Sequence, residues 1–227
     1  MALPWTVIET VPTEEGPLEL RRRGDRDFLI MLGPLVLMSS RAHTSEAALG
    51  ELGCRHLRGR AGARVLVGGL GMAFTLRAVL DVLGPDARVT VAELNPVVEG
   101  WCRGPLAGLT GAAVADPRVA VRIADVAKVI RDAQGCYDAI VLDLYRGPHP
   151  RTDPRGDPLY GSRAIERARA ALRQGGVLAV WGEVYDAAFE ARLKAAGFVV
   201  SGVRPGRGRQ HAVFVGTLPA PAGAASR

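Results

Sequence analysis

At 227 residues with 48% hydrophobic side chains, the chain holds enough material for one α/β domain and a small appendage, with a core covered on both sheet faces. No run reaches about eighteen apolar residues, and Met1-Ala-Leu-Pro-Trp5 lacks the charged-then-apolar form of a signal peptide, so a cytoplasmic protein with no membrane partner is expected. The net charge of +6 does not by itself make a nucleic-acid surface. Lysine occurs only at positions 128 and 194, the arginines are scattered apart from Arg21-Arg22-Arg23 and the stretch from Arg204 to Arg209, and aromatics are 5%, too few for base-stacking platforms.

In chain order, residues 5 to 38 alternate in the strand manner, with turns at Glu15-Gly16-Pro17 and Gly24-Asp25. They predict a small antiparallel β appendage over 1–42 of three or four strands. A helix from about Ser45 to Leu57, capped by Thr44 or Ser45, follows it. Val65-Leu66-Val67 then reads as a strand, Gly68-Gly69-Leu70-Gly71 as a tight turn, and Leu76, Val79, Leu80 and Leu83 fall at helical spacing. The next strand, Arg88 to Ala92, closes on Glu93, twenty-two positions after Gly71. That is the layout of a nucleoside-binding βαβ unit, in which glycines let backbone approach a ligand and the acid accepts hydrogen bonds from ribose hydroxyls.

Asn95-Pro96 starts a further helix, with Asn at the cap and Pro at the first helical position. Two more strands end in acids: Val119 to Ile123 before Asp125, which begins a helix, and Tyr137 to Leu142 before Asp143. A proline- and glycine-rich loop leaves the second of them, flanked by Tyr145 and Tyr160 and long enough to be a lid. A helix from Ser162 to Arg173, ended by Gly175-Gly176, precedes a strand over 177–181 and a helix capped by Asp186. Two strands, Phe198 to Ser201 and His211 to Val215, close the sheet as a hairpin. The expected architecture is a Rossmann-like, seven-stranded doubly wound sheet over 43–218, with a disordered tail from 219 to 227.

The turn lacks a third glycine at Phe74, which speaks against an ordinary dinucleotide finger and an NAD-dependent enzyme. The glycine turn followed by three strand-end acids is instead the pattern of enzymes that bind an S-adenosyl nucleoside. Cys54, Cys102 and Cys136 are far apart and odd in number, which supports neither a disulfide framework nor a zinc site.

Val65-Leu-Val-Gly-Gly-Leu-Gly71, Val89-Thr-Val-Ala-Glu-Leu-Asn-Pro96, Asp116-Pro-Arg-Val119 and Tyr137-Asp-Ala-Ile-Val-Leu-Asp143 resemble the spermidine/spermine synthase family within the class I S-adenosylmethionine-dependent methyltransferases. The resemblance implies S-adenosylmethionine, or its decarboxylated form, bound by Gly68, Gly69, Gly71, Glu93, Asp125 and Asp143. It places Asp143 beside the reacting amine, with a small-molecule acceptor, no metal and a homodimer; Tyr145, flanking the long loop, is a second catalytic candidate. Met72 stands where that family has an aspartate in the turn, Leu144-Tyr145-Arg146 where it has a second aspartate, and His43-Thr-Ser-Glu46 where it has a Tyr-His pair. Lost acids disfavour a dicationic acceptor, so methyl transfer is the leading expectation. The alternatives are aminopropyl transfer from decarboxylated S-adenosylmethionine and a non-catalytic nucleoside-binding module. Lesser candidates for the cleft are His43, His149, Arg146, Arg151, Trp181, Glu183 and His211.

Overall fold

The computed structural model describes residues 3–203 and 211–220. The Arg204 to Arg209 cluster and, apart from Pro219 and Ala220, the expected tail lie outside the described residues.

The appendage is a meander of β1 (Thr6–Thr13), β2 (Gly16–Arg23), β3 (Asp27–Leu32) and β4 (Leu35–Ser39). Its strands alternate as the sequence does. Leu18 and Leu20 of β2 and Phe28 and Ile30 of β3 are buried on one face, while β1 is exposed over most of its length. The Trp101 Nε1–H, from a helix of the main domain, donates to Glu9 Oε2 at 2.7 Å and ties β1 down.

Strands β5 (Arg64–Gly68), β6 (Arg88–Glu93), β7 (Val119–Ile123), β8 (Tyr137–Leu142), β9 (Leu172–Gly182), β10 (Val199–Val203) and β11 (Ala212–Thr217) form one sheet in the order β10-β11-β9-β8-β5-β6-β7. Only β11 runs antiparallel to both its neighbours. Adjacent β5 residues face opposite cores. Val65 and Val67 pack under α1 (Thr44–Cys54), α2 (Phe74–Val82) and α3 (Pro96–Arg103), whereas Leu66 packs under α4 (Val126–Arg131), α5 (Ser162–Ala171) and α6 (Ala187–Ala195). A parallel strand covered on both faces must be apolar at every position, which is why these strands read as continuous hydrophobic runs. The expected seven-stranded sheet with helices on both faces and an N-terminal β appendage is therefore the fold.

Two local expectations are corrected. His43, not Thr44 or Ser45, stands at the N-cap of α1, and its side chain makes no capping bond. The Ser45 hydroxyl donates instead to its neighbour Glu46. Asn95 does occupy the N-cap of α3, again without a side-chain bond. Strand β9 begins at Leu172, so Gly175-Gly176 lies inside a strand rather than ending a helix. The pairing jumps from Tyr137–Leu172 to Ala139–Val177, and Gly175, at φ +73°, absorbs the extra residues in that irregularity.

The fold brings α1 unusually close to α2. A Cβ on Gly50 would lie 2.7 Å from both Ala78 Cβ and Thr75 O. This contact sets the position of Glu46, one turn earlier on α1. Gly50→Ala is expected to lower stability by about 1–3 kcal/mol through overpacking, measured by urea unfolding followed by circular dichroism. A variant as stable as the parent would show that the helices are not held at this separation.

Candidate functional site: an acid-lined cavity at the sheet's switch point

From β5 the chain runs outward to β6 and β7, then returns with β8 on the other side of β5. Open α/β sheets bind ligands where the strand order reverses, beyond the carboxyl ends of the strands. A cavity of about 580 Å³ lies there. Its floor is the turn after β5, where Gly69, Gly71 and Ala73 all take left-handed φ, at 86°, 51° and 64°. Gly69 cannot be replaced without displacement, because its Cβ would sit 2.2 Å from the Asp143 carbonyl oxygen.

Glu93 holds this turn in place. Its Oε2 accepts the Leu70 N–H at 2.9 Å and its Oε1 the Asn95 N–H at 2.8 Å. Burial raises the pKa of this carboxyl above its ordinary value, against the pull of the backbone amides of Asn95, Leu70 and Leu94. Across the cavity Asp125 Oδ1 accepts the Ala127 N–H at 2.8 Å, capping α4.

Asp143 follows β8, and its N–H donates to Gly68 O at 2.8 Å. Its Oδ2 accepts the Thr75 hydroxyl at 2.5 Å. Burial pushes this carboxyl up to about 7, with Thr75 pulling it down and the charge of Glu46 adding to the rise. Glu46 is itself buried, its Oε2 accepting from Ser45 at 2.6 Å. At the mouth, the Tyr145 hydroxyl donates to Glu15 Oε2 at 2.5 Å, joining the long loop to the tip of the β1–β2 hairpin. Burial, with the adjacent Glu15 carboxylate, pushes the Tyr145 phenol up to about 12. Asp157 Oδ1 accepts the N–H groups of Leu159 and Tyr160, and the Tyr160 hydroxyl donates to Arg146 O.

Of the nominated residues, Gly69, Gly71, Glu93, Asp125, Asp143 and Tyr145 all line this one cavity. Gly68 does not. It is buried behind the turn, where a Cβ would lie 2.8 Å from Leu142 and Val126 side chains. Tyr160, Arg146 and Trp181 also line the cavity, whereas Glu183 and Arg151 are exposed outside it. His43 stacks on Phe74, His211 lies against Trp181, and His149 accepts the Arg151 N–H within its own loop. Sequence reasoning missed Glu15, Glu46, Thr75 and Asp157. The only available signal was an acid in the first turn of α1, directly after the appendage. Among the described residues no three His, Cys, Asp or Glu side chains are grouped for a metal ion, and no helix is long and apolar enough to cross a membrane.

The fold is that of solved spermidine synthases. The chain superposes on a spermidine synthase in complex with the transition state analogue AdoDATO with a TM-score of 0.71 at 17% identity, over 93% of this chain and 72% of that one. For the spermidine synthase from Thermotoga maritima the TM-score is 0.70 at 18% identity, with the same coverage. Among curated proteins, a polyamine aminopropyltransferase from Korarchaeum cryptofilum is 31% identical over 122 residues, 53% of this chain and 35% of that protein. One from Saccharolobus islandicus is 30% identical over 165 residues, 62% of this chain and 54% of that protein. The chain thus spans about a third to a half of the length of these relatives. No protein-family model matches it. Its relatives are polyamine aminopropyltransferases of the spermidine synthase fold, as the motifs led one to expect.

The expectation of methyl transfer is overturned by these relatives, which are named for aminopropyl transfer. Its premise also fails on geometry. Met72 is 0% exposed and lies in the core among the α1–α3 side chains, so its identity says nothing about the cavity. The cavity is not short of acids either: Glu15, Glu46, Glu93, Asp125, Asp143 and Asp157 line it, with Arg146 the one cationic side chain among the lining residues.

The raised value of Asp143 makes stability pH-dependent. A folded-state pKa near 7 against an ordinary 3.8 means that folding favours the neutral acid. Its contribution is therefore best below about pH 4, falls as pH rises towards 7, and is flat above that. Asp143→Asn is expected to raise the thermal midpoint by a few degrees at pH 8 and to leave it unchanged at pH 4. Equal effects at both pH values would show an unperturbed carboxyl.

Proposed function

We propose that the chain transfers an aminopropyl group from decarboxylated S-adenosylmethionine to a small amine acceptor. The single observation that carries this reading is the sign of the cavity, with its surrounding carboxylates and one guanidinium, which itself stacks on Tyr145 at 5.0 Å. Ordinary S-adenosylmethionine brings a carboxylate into the site, whereas the decarboxylated donor and an amine acceptor bring only positive charge. In a partly desolvated cleft that difference decides which donor binds. The names of the relatives point the same way.

In this reading Gly69 and Gly71 let the backbone approach the nucleoside, Glu93 accepts from the ribose hydroxyls with its remaining lone pairs, and Asp125 meets the base edge. Asp143 and Tyr145 face the reacting end. The acceptor nitrogen attacks the methylene carbon next to sulfur, the new N–C bond forms as the C–S bond breaks, and the electron pair leaves on sulfur as a neutral thioether. The sulfonium supplies the driving force. The protein's part is to align the three atoms and to take the proton from the attacking amine, a role that suits a carboxyl titrating near 7. Leu18, Ile30, Leu37 and Trp181 form an apolar wall against which methylene groups pack.

Calorimetry is expected to show decarboxylated S-adenosylmethionine bound at least about tenfold more tightly than the ordinary form. Asp143→Asn should lower kcat by about a hundredfold or more while donor affinity stays within about threefold. Equal binding of the two donors, or an undiminished kcat, would overturn this assignment.

A further inference from the structure

The hydroxyl of Thr75 has two partners. It lies 2.5 Å from Asp143 Oδ2 and 3.3 Å from the backbone carbonyl oxygen of Glu46. A hydroxyl has one proton and lone pairs to accept with, so it can donate to only one of these at a time. Thr75 is 2% exposed in the first turn of α2, and the α1–α2 contact at Gly50 fixes the Glu46 carbonyl opposite it. Asp143 Oδ1 has no hydrogen-bond partner among the described residues, so this hydroxyl is the side-chain bond that orients the carboxyl.

We propose that Thr75 is the positioning residue for proton transfer at Asp143, its hydroxyl reversing direction when the carboxyl gains or loses a proton. With Asp143 ionised, the Thr75 O–H donates to Oδ2. With the proton on Oδ2, the acid donates to Thr75 Oγ1 and the Thr75 O–H turns to the Glu46 carbonyl. No heavy atom has to move, and Asp143 Oδ2 and the Thr75 hydroxyl stay bonded to each other in both states. This inference rests on the proposed aminopropyl transfer for its use: one proton leaves the attacking nitrogen as the N–C bond forms, and Asp143 holds it until the product departs.

The groups facing Asp143 are consistent with a proton held there. Glu46 comes from α1, Asp157 and Tyr160 from the long loop, and Glu93 and Asp125 from across the cavity. Glu15 lies at the hairpin tip and Arg146 on the segment after Asp143 itself, stacked against Tyr145. Burial favours the neutral acid, the charge of Glu46 adds to that, and the Thr75 bond restores part of the ionised form.

The test uses carbon-13 NMR of aspartate carboxyls in the whole chain, with the Asp143 resonance identified by its loss in Asp143→Asn. In the parent protein Asp143 is expected to titrate near pH 7. In Thr75→Val, and in Thr75→Ala should the valine variant not fold, the midpoint should rise by about one pH unit. In Thr75→Ser it should return to the parent value. The acid limb of the pH–kcat profile should move with it, with kcat down about tenfold in Thr75→Val and KM within about threefold. A parent midpoint near 4, or a valine or alanine variant that titrates with the parent, would overturn the role of Thr75. Midpoints that move as expected without turnover of the decarboxylated donor would sink the aminopropyl assignment and leave the Thr75 switch standing.

Discussion

Negative charge confined in a cleft and held there by neutral donors is the constraint on which this structure turns. Glu93 is held by backbone amides, Asp125 by the amide of the helix it caps, and Asp143 and Glu46 by single hydroxyls. Several arginines are occupied elsewhere. Arg60 and Arg173 pair with the buried Asp138 near the start of β8, at the end of that strand remote from the cavity. Arg118 pairs with Asp116 and donates to the Leu80 and Leu83 carbonyls at the end of α2, and Arg41 pairs with Asp27 in the appendage. A chain with a net charge of +6 thereby keeps one strongly acidic pocket. Hydrogen bonds from neutral groups stabilise carboxylates without cancelling their field, so the field stays available to a cation.

Close backbone approach is the second condition. The turn after β5 passes so near Asp143 that only a residue without Cβ fits at Gly69, and α1 meets α2 through Gly50. These two contacts lie on either side of Thr75 and Asp143 and set their separation. The appendage completes the enclosure rather than decorating it. Leu18, Ile30, Leu37 and Met38 close one wall, and Met38 Sδ accepts the Met72 N–H at 3.1 Å. Glu15 at its hairpin tip meets Tyr145 across the mouth, so the loop after β8 and the appendage form one rim.

Met72 shows why a motif read residue by residue can mislead about an acceptor. Alternating left-handed residues at Gly69, Gly71 and Ala73 reverse the chain direction within five positions, and a side chain in such a turn points into the cleft or the core according to torsion angles that composition does not reveal. Here it points into the core. The negative charge whose loss it was read to signal comes instead from three segments remote in sequence: the β1–β2 hairpin, the first turn of α1 and the long loop.

Hydrophobic periodicity and the glycine and acid punctuation determined by themselves the strand and helix succession, the two-sided sheet, the appendage and the position of Glu93, Asp125 and Asp143 at strand tips, because each of these is set by side-chain spacing along a few neighbouring residues. The long strand β9 with its glycine irregularity, the inward turn of Met72, the convergence of Glu15, Glu46 and Asp157 on one cavity, and the bond of Thr75 to Asp143 were decided only by tertiary structure. Those features depend on which elements pack together and on the direction a side chain takes once its backbone is bent. The balance of charge around a buried carboxyl is a sum over such neighbours, and no local pattern in the chain encodes that sum.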